Sequence, residues 1–278
     1  MSEVETYHLE PTPTPPRLPG AVVLRPAADD AIDALAAEMM LHAQICVRQF
    51  GGFHMALSGG STPVPLYERL MIDPALRGFP WEASHIWIVD ERRVPFADAK
   101  SNFRVINEIL GDHSGIPASH VHPIFATNPD ADTAYELELR RLLGQRAHGN
   151  ERLDFVLLGM GADGHTASLF PHSPALATGQ PPLRLVRIND GPTVTPPDRV
   201  TMTYDLINAS RFIAVLVTGA GKRPMLSRIV AAAADGEPGP QHPLAQEIPI
   251  LGIKPVAGVQ RWYLDHAACP DPAAPTPT

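Results

Sequence analysis

The chain has 278 residues, of which 44% are hydrophobic, 19% charged and 6% aromatic: enough apolar material for a large core, and too much for a disordered polypeptide. No apolar run approaches the roughly 18 residues of a membrane-spanning helix, and the first twenty residues are acidic and Pro-rich rather than basic then apolar, so neither a membrane association nor a secretory leader is expected. A formal charge of −8 has the wrong sign for nucleic acid, and the distant Cys46 and Cys269 suggest neither a disulfide framework nor a zinc site, so a cytoplasmic protein is expected.

Proline is concentrated at the two ends. PTPTPPRLPG and CPDPAAPTPT have little to bury, which predicts extended, mobile tails over 1–20 and 269–278 around a single domain at 21–268. Inside that domain, Ile32, Leu35, Ala36, Met39, Ala43 and Cys46 recur at helical spacing after Asp29 and Asp30, acids suited to a cap and to the positive end of the helix dipole. Four short apolar runs follow, FHMAL, HIWIVD, LDFVLL and RFIAVLV, each ending in a polar or Gly-rich loop, and they read as buried parallel strands. Helical patterns at YERLMI, NFRVINEIL, TAYELELRRLLGQR and KRPMLSRIVAAAA alternate with them. This rhythm predicts an α/β fold, an open, mostly parallel, Rossmann-like sheet with helices on both faces, whose ligands bind beyond the carboxyl ends of the strands. Residues 179–198 are Pro-rich and read as including an irregular surface loop.

The loops at those strand ends carry the candidate chemistry. Ser58-Gly59-Gly60-Ser61-Thr62 joins a strand to a helix, so its small residues, its hydroxyls and the helix N-terminus suit phosphate, although a glycine turn needed for geometry alone would look the same. A nucleophile elbow on Ser58 is the sharper rival, weakened because Asp163 and His165 lie only two residues apart on one loop. Gly159-Met160-Gly161-Ala162-Asp163-Gly164 matches a dinucleotide fingerprint literally, yet Pro171 arrives too soon for the required helix and no acidic residue closes a later strand. What remains is a turn that exposes Asp163 and His165, and an imidazole suits a general base. Thr218-Gly219-Ala220-Gly221-Lys222 resembles a P-loop but lacks its first glycine and its Ser or Thr after the lysine. Lys222 at a helix start opposes the dipole, which points to a bound anion, and Arg199 is its expected partner; a solvated surface charge is the alternative for both. His120 and His122 alternate like a ligand pair, but with no Cys or carboxylate nearby in sequence a surface role is expected and no metal site.

Taken together, LSGGSTPVPLYERL (57–70), DERRVPFADAKSNFRVINEIL (90–110), LLGMGADGHTASLFP (157–171) and RVTMTYDLINASRFIAVLVTGAGK (199–222) resemble the motifs of the 6-phosphogluconolactonase family. The resemblance implies hydrolysis of 6-phospho-D-glucono-1,5-lactone in the oxidative pentose phosphate pathway without metal or organic cofactor. It makes His165 the base that activates water, with Asp163 beside it. It places phosphate on Ser58, Gly59, Gly60, Ser61, Thr62, Arg199 and Lys222, and sugar oxygens or a developing oxyanion near Asp90 and Arg92. The related glucosamine-6-phosphate deaminases usually show DEY and DGHIAFNEPG, and the acidic residue of that NEPG segment is missing here. An isomerase-deaminase and a non-catalytic sugar-phosphate sensor remain the alternatives, and a monomer with no nucleic-acid or membrane partner is expected. Trp262 and Asp265 fit the family's final strand and helix.

Overall fold

A computed structural model describes residues 13–179 and 182–270. In chain order the elements are β1 (Ala21–Arg25), α1 (Ala28–Phe50), β2 (Phe53–Leu57), α2 (Val64–Ile72), β3 (Ser84–Ile88), β4 (Asp90–Arg92) and α3 (Asn102–Ile106). They continue with β5 (Val121–His122), α4 (Ala131–Leu143), β6 (Phe155–Leu158), β7 (Val186–Asp190), β8 (Asp198–Met202), α5 (Tyr204–Ile207), β9 (Phe212–Val217), α6 (Arg223–Asp235) and β10 (Val259–Asp265).

Helix α1 buries the six positions its spacing selects, together with Ala31. Its start differs in detail: the cap is Ala27, and Asp30 serves from the third helical position by accepting the Ala27 N–H at 3.0 Å. Gly51, at φ 79°, ends it with its N–H on the Val47 carbonyl, a conformation that favours glycine. The four apolar runs become β2, β3, β6 and β9; every residue of β2, β6 and β9 is buried, which is why they read as continuous apolar stretches rather than as alternating ones.

Seven strands form one parallel sheet in the order β1-β10-β9-β6-β2-β3-β5. The chain winds outward from β2 through β3 to β5, then returns to the other side of β2 with β6 and continues through β9 to β10. The order therefore reverses between β2 and β6, and the loops that follow these two strands open side by side at the crevice this makes. Trp87 and Trp262 are wholly buried in the core, and burying a large apolar side chain contributes about 1.5–3 kcal/mol. Among the described residues, no helix is long and apolar enough to cross a membrane.

The irregular loop expected within 179–198 lies at 191–197, between β7 and β8, which pair antiparallel and, with β4, form a separate three-stranded sheet in the order β4-β8-β7. Three features differ from expectation. The Pro-rich ends are not wholly tail: Leu18 packs in the core, Trp262 donates its indole N–H to the Pro19 carbonyl at 2.7 Å, and Cys269 is buried beside Thr14. Residues 1–12 and 271–278 lie outside the described residues. Trp262 and Asp265 both belong to β10, and a turn rather than a helix follows through Pro270. His122 is not a surface residue: it is 2% exposed, stacks on Trp87, and has a carboxylate 2.7 Å away in Glu138, although no three-ligand group forms among the described residues.

Candidate active site

A cleft of about 370 Å³ lies over the carboxyl ends of β2, β6 and β9, and ten of the eleven residues selected from the sequence line it. The exception is Asp163, which stands behind His165 and reaches the cleft only through it. Asp163 Oδ1 accepts from His165 Nδ1 at 2.5 Å and from the His165 backbone N–H at 3.1 Å. A carboxylate on Nδ1 holds the proton on that nitrogen, so Nε2 is the acceptor presented by a side chain that keeps 25% exposure. Partial burial works against the ionised Asp163 carboxyl, but the bonds and charge of His165 outweigh it and hold the group below the usual carboxylate range. The two-residue separation that counted against this pair in sequence is what brings it together, because the turn folds back with Gly161 N–H on the His165 carbonyl and Gly164 N–H on the Gly161 carbonyl. No side chain fits at Gly161: a Cβ would stand 2.2 Å from His165 Nδ1 and 2.7 Å from Asp163 Oδ1.

The Ser58–Thr62 turn forms the neighbouring wall. Ser58 Oγ donates to the Leu157 carbonyl at 2.7 Å and the residue is buried, so its hydroxyl proton is engaged by the strand rather than by His165, which removes the geometric basis of a nucleophile elbow. Gly60 adopts φ 87°, and the turn exposes Gly60 and Ser61 to solvent. Beyond β9, both carboxylate oxygens of Asp265 accept the Gly219 N–H, fixing the glycine turn that delivers Lys222. Lys222 Nζ donates to the Met160 carbonyl at 2.6 Å, which lays the ammonium against the loop that carries His165.

The small antiparallel sheet supplies the remaining wall. Its register pairs Arg92 with Arg199 and Asp90 with Thr201. Two guanidinium groups on directly opposed residues repel, and such a pair persists where an anion or a carboxylate shares the site. Arg199 is 4% exposed and donates to the carbonyls of Pro196 and Asp198; burial lowers its pKa, Asp90 opposes that and Arg92 adds to it. Arg92 donates to the Lys100 carbonyl at 2.6 Å. Asp90 accepts from Ser168 Oγ at 2.6 Å.

Three residues matter that sequence reasoning passed over. Glu91, 1% exposed, accepts from the backbone N–H groups of Arg92, Asn102 and Phe103 and from Ser101 Oγ, so one buried carboxylate ties the Arg92 strand to the start of α3. Burial pushes its pKa up, against the pull of those N–H groups. Phe170 bridges the two halves of the cleft, with its ring centroid 5.0 Å from that of His165 and 5.9 Å from the Arg199 guanidinium carbon. Asn102 lines the cleft beside Gly59. The run of acid, hydroxyl and amide in DER and SN was the available signal for Glu91 and Asn102; nothing local marked Phe170.

Fold and cleft together define a doubly wound α/β protein with a histidine–carboxylate pair and basic side chains converging at the switch point of its sheet. Residues 26–261 match the family model described as glucosamine-6-phosphate isomerases/6-phosphogluconolactonase, and the chain belongs to that family. It is 36% identical over 245 residues to the 6-phosphogluconolactonase of Haemophilus influenzae, covering 87% of this chain and 96% of that protein. It is 38% identical over 249 residues to the human GDH/6PGL endoplasmic bifunctional protein, where the match covers 87% of this chain but only 29% of the longer relative. The solved 6-phosphogluconolactonase of Thermotoga maritima superposes with a TM-score of 0.70 at 28% identity, over 88% of this chain and 99% of the other.

Proposed function

We propose that the chain hydrolyses 6-phospho-D-glucono-1,5-lactone to 6-phospho-D-gluconate in the oxidative pentose phosphate pathway, with His165 activating water. The observation that carries this reading is the Asp163-buttressed imidazole on the wall of a cleft whose other walls hold Arg92, Arg199 and Lys222. In the proposed step, Nε2 takes a proton from water as the water oxygen attacks the lactone carbonyl. The tetrahedral intermediate then collapses, the ring C–O bond breaks, and the departing oxygen recovers the proton from the imidazolium. Asp163 holds the ring and stabilises its charge, and a positioned base of this kind accelerates such a step by about 10² to 10⁴. A lactone needs no stronger nucleophile, consistent with the engaged Ser58 hydroxyl and with a mechanism that uses no cofactor.

The phosphate is assigned to the Ser58–Thr62 turn with Arg199 and Lys222. Arg92 and Asp90 are assigned to the sugar oxygens, with Arg92 able to meet the developing oxyanion. Family relatives named as lactonases and the absence of an NEPG acid after Asp163-Gly164-His165 support this over the deaminase alternative. Action as a monomer in the cytoplasm belongs to the same proposal. The deciding measurement is proton release from freshly generated 6-phosphogluconolactone, corrected for spontaneous opening. Acceleration is expected; ammonia release from glucosamine 6-phosphate without lactone hydrolysis would replace this reading with the deaminase, and sugar-phosphate binding without turnover would replace it with a sensor.

A further inference from the structure

Asn102 opens α3 and is 2% exposed, yet its side chain meets two walls of the cleft at once. The amide nitrogen donates to the Asp90 backbone carbonyl at 2.6 Å. A carbonyl only accepts, so this bond settles which end of the amide is nitrogen, and the oxygen faces the opposite way. There it lies against Gly59, where a Cβ would stand 1.9 Å from Oδ1 and 2.1 Å from Cγ. That oxygen is buried with no hydrogen-bond partner among the described residues, an exception that buried polar atoms rarely show. The backbone behind it is held firmly: Glu91 accepts the Asn102 N–H at 2.7 Å, and Ser101 Oγ caps the helix by accepting the Arg104 N–H at 3.1 Å.

We propose that Asn102 is a positioning residue, a strut that sets the separation between the Ser58–Thr62 turn and the Asp90–Arg92 strand, so that phosphate and sugar ring are gripped at one fixed spacing. The chemistry of the residue suits the task. A planar amide is thin enough to lie against a glycine and still donates toward Asp90. Leucine would fill the same volume without the donor, and aspartate would turn a carboxylate oxygen toward a carbonyl. The glycine at 59 is the other half of the device, since any side chain there would strike the amide. This rests on the lactonase reading for which groups bind substrate.

The test uses Asn102→Ala, Asn102→Asp, Gly59→Ala and the Gly59→Ala/Asn102→Ala double variant, with two readouts. Amide hydrogen exchange of residues 59–62 and 90–92, measured without ligand, is expected to accelerate about tenfold in Asn102→Ala, the size of one lost hydrogen bond. KM for 6-phosphogluconolactone is expected to rise by a similar factor while kcat falls less than about threefold. Asn102→Asp keeps the shape, covers the case of an alanine variant that does not fold, and should not restore either value. Gly59→Ala should raise KM further than Asn102→Ala, and removing the amide should bring the double variant back toward the Asn102→Ala value. Unchanged exchange with unchanged KM overturns the strut, as do additive effects of the two substitutions or a loss confined to kcat. A wild-type protein that does not hydrolyse the lactone would overturn the activity reading instead, and the exchange rates would still decide the strut.

Discussion

A cluster of four histidines and the single His165 sit in opposite surroundings. His54, His85, His120 and His122 form an array toward the amino ends of β2 and β3, the ends opposite those that open on the cleft, where β2–β3 pairing sets His54 directly beside His85. The His54 and His85 rings stack at 4.2 Å, His85 and His120 at 3.9 Å, and His122 lies 3.8 Å from Trp87. Trp87 donates its indole N–H to His54 Nδ1, while His85 Nδ1 and His122 Nε2 share a hydrogen bond at 3.0 Å. Burial first, then the neighbouring imidazoles and Arg146, drive His54 down to about 2 and His85 to about 3, so these rings stay neutral and act as flat packing units. His165 has a carboxylate on one nitrogen, a cleft on the other and a quarter of its surface open. What separates His165 from the array is what its second nitrogen faces, not the number of histidines nearby.

The comparison breaks most visibly at His165. His165→Ala is expected to lower kcat by about 10² or more with little change in melting temperature, since it removes proton transfer and little packing; Asp163→Asn should lose less. A near-wild-type rate in His165→Ala would end the proposed mechanism. Gly161→Ala forces a methyl into the space between the pair and should cost about 10²-fold in kcat by displacing the ring, a loss that circular dichroism should not mirror.

The basic wall sharpens the contrast from the substrate side. Arg199→Ala and Lys222→Ala should each raise KM, with a 10- to 150-fold loss in kcat/KM, the range of a charge-assisted contact of about 1.5–3 kcal/mol. Gluconolactone without phosphate is the control: it should lose little further activity in either variant, and an equal proportional loss on both lactones would show that neither residue binds phosphate.

The array itself is tested by acid. An imidazole whose folded pKa lies below its unfolded value of 6.5 takes up a proton on unfolding, so its contribution is complete above pH 6.5 and is lost as pH falls toward about 3 for His85 and about 2 for His54. Urea midpoints should therefore fall from pH 7 to pH 5, with His54 alone contributing about 1.4 kcal/mol per pH unit once below 6.5. His54→Gln should flatten that slope, and an unchanged slope would mean that His54 is not a source of acid lability.

Much of the cleft could be read from local pattern because its parts are local. Continuous apolar runs in β2, β6 and β9 report burial on both faces, and the turn residues after them mark the ends where ligands bind. The apolar stripe of α1 likewise follows from a 3.6-residue period. Family resemblance then joined Ser58, His165, Arg199 and Lys222, which are dispersed over more than half the chain.

Which strands become neighbours is decided only when distant segments compete for the same edges. The place of β6 between β2 and β9, which brings the Ser58 turn beside the His165 loop, follows from packing the whole sheet. Pairing of β4 with β8 sets Arg92 opposite Arg199 across 107 positions of sequence, and no periodicity in either segment encodes that register. Leu18, placed in a tail by its prolines, is buried because the folded core offers it a surface, and His122 is buried because β3 and α4 surround it. Residue type and spacing determined which groups were available for chemistry; strand pairing, an energy shared between segments, decided which of them face one another.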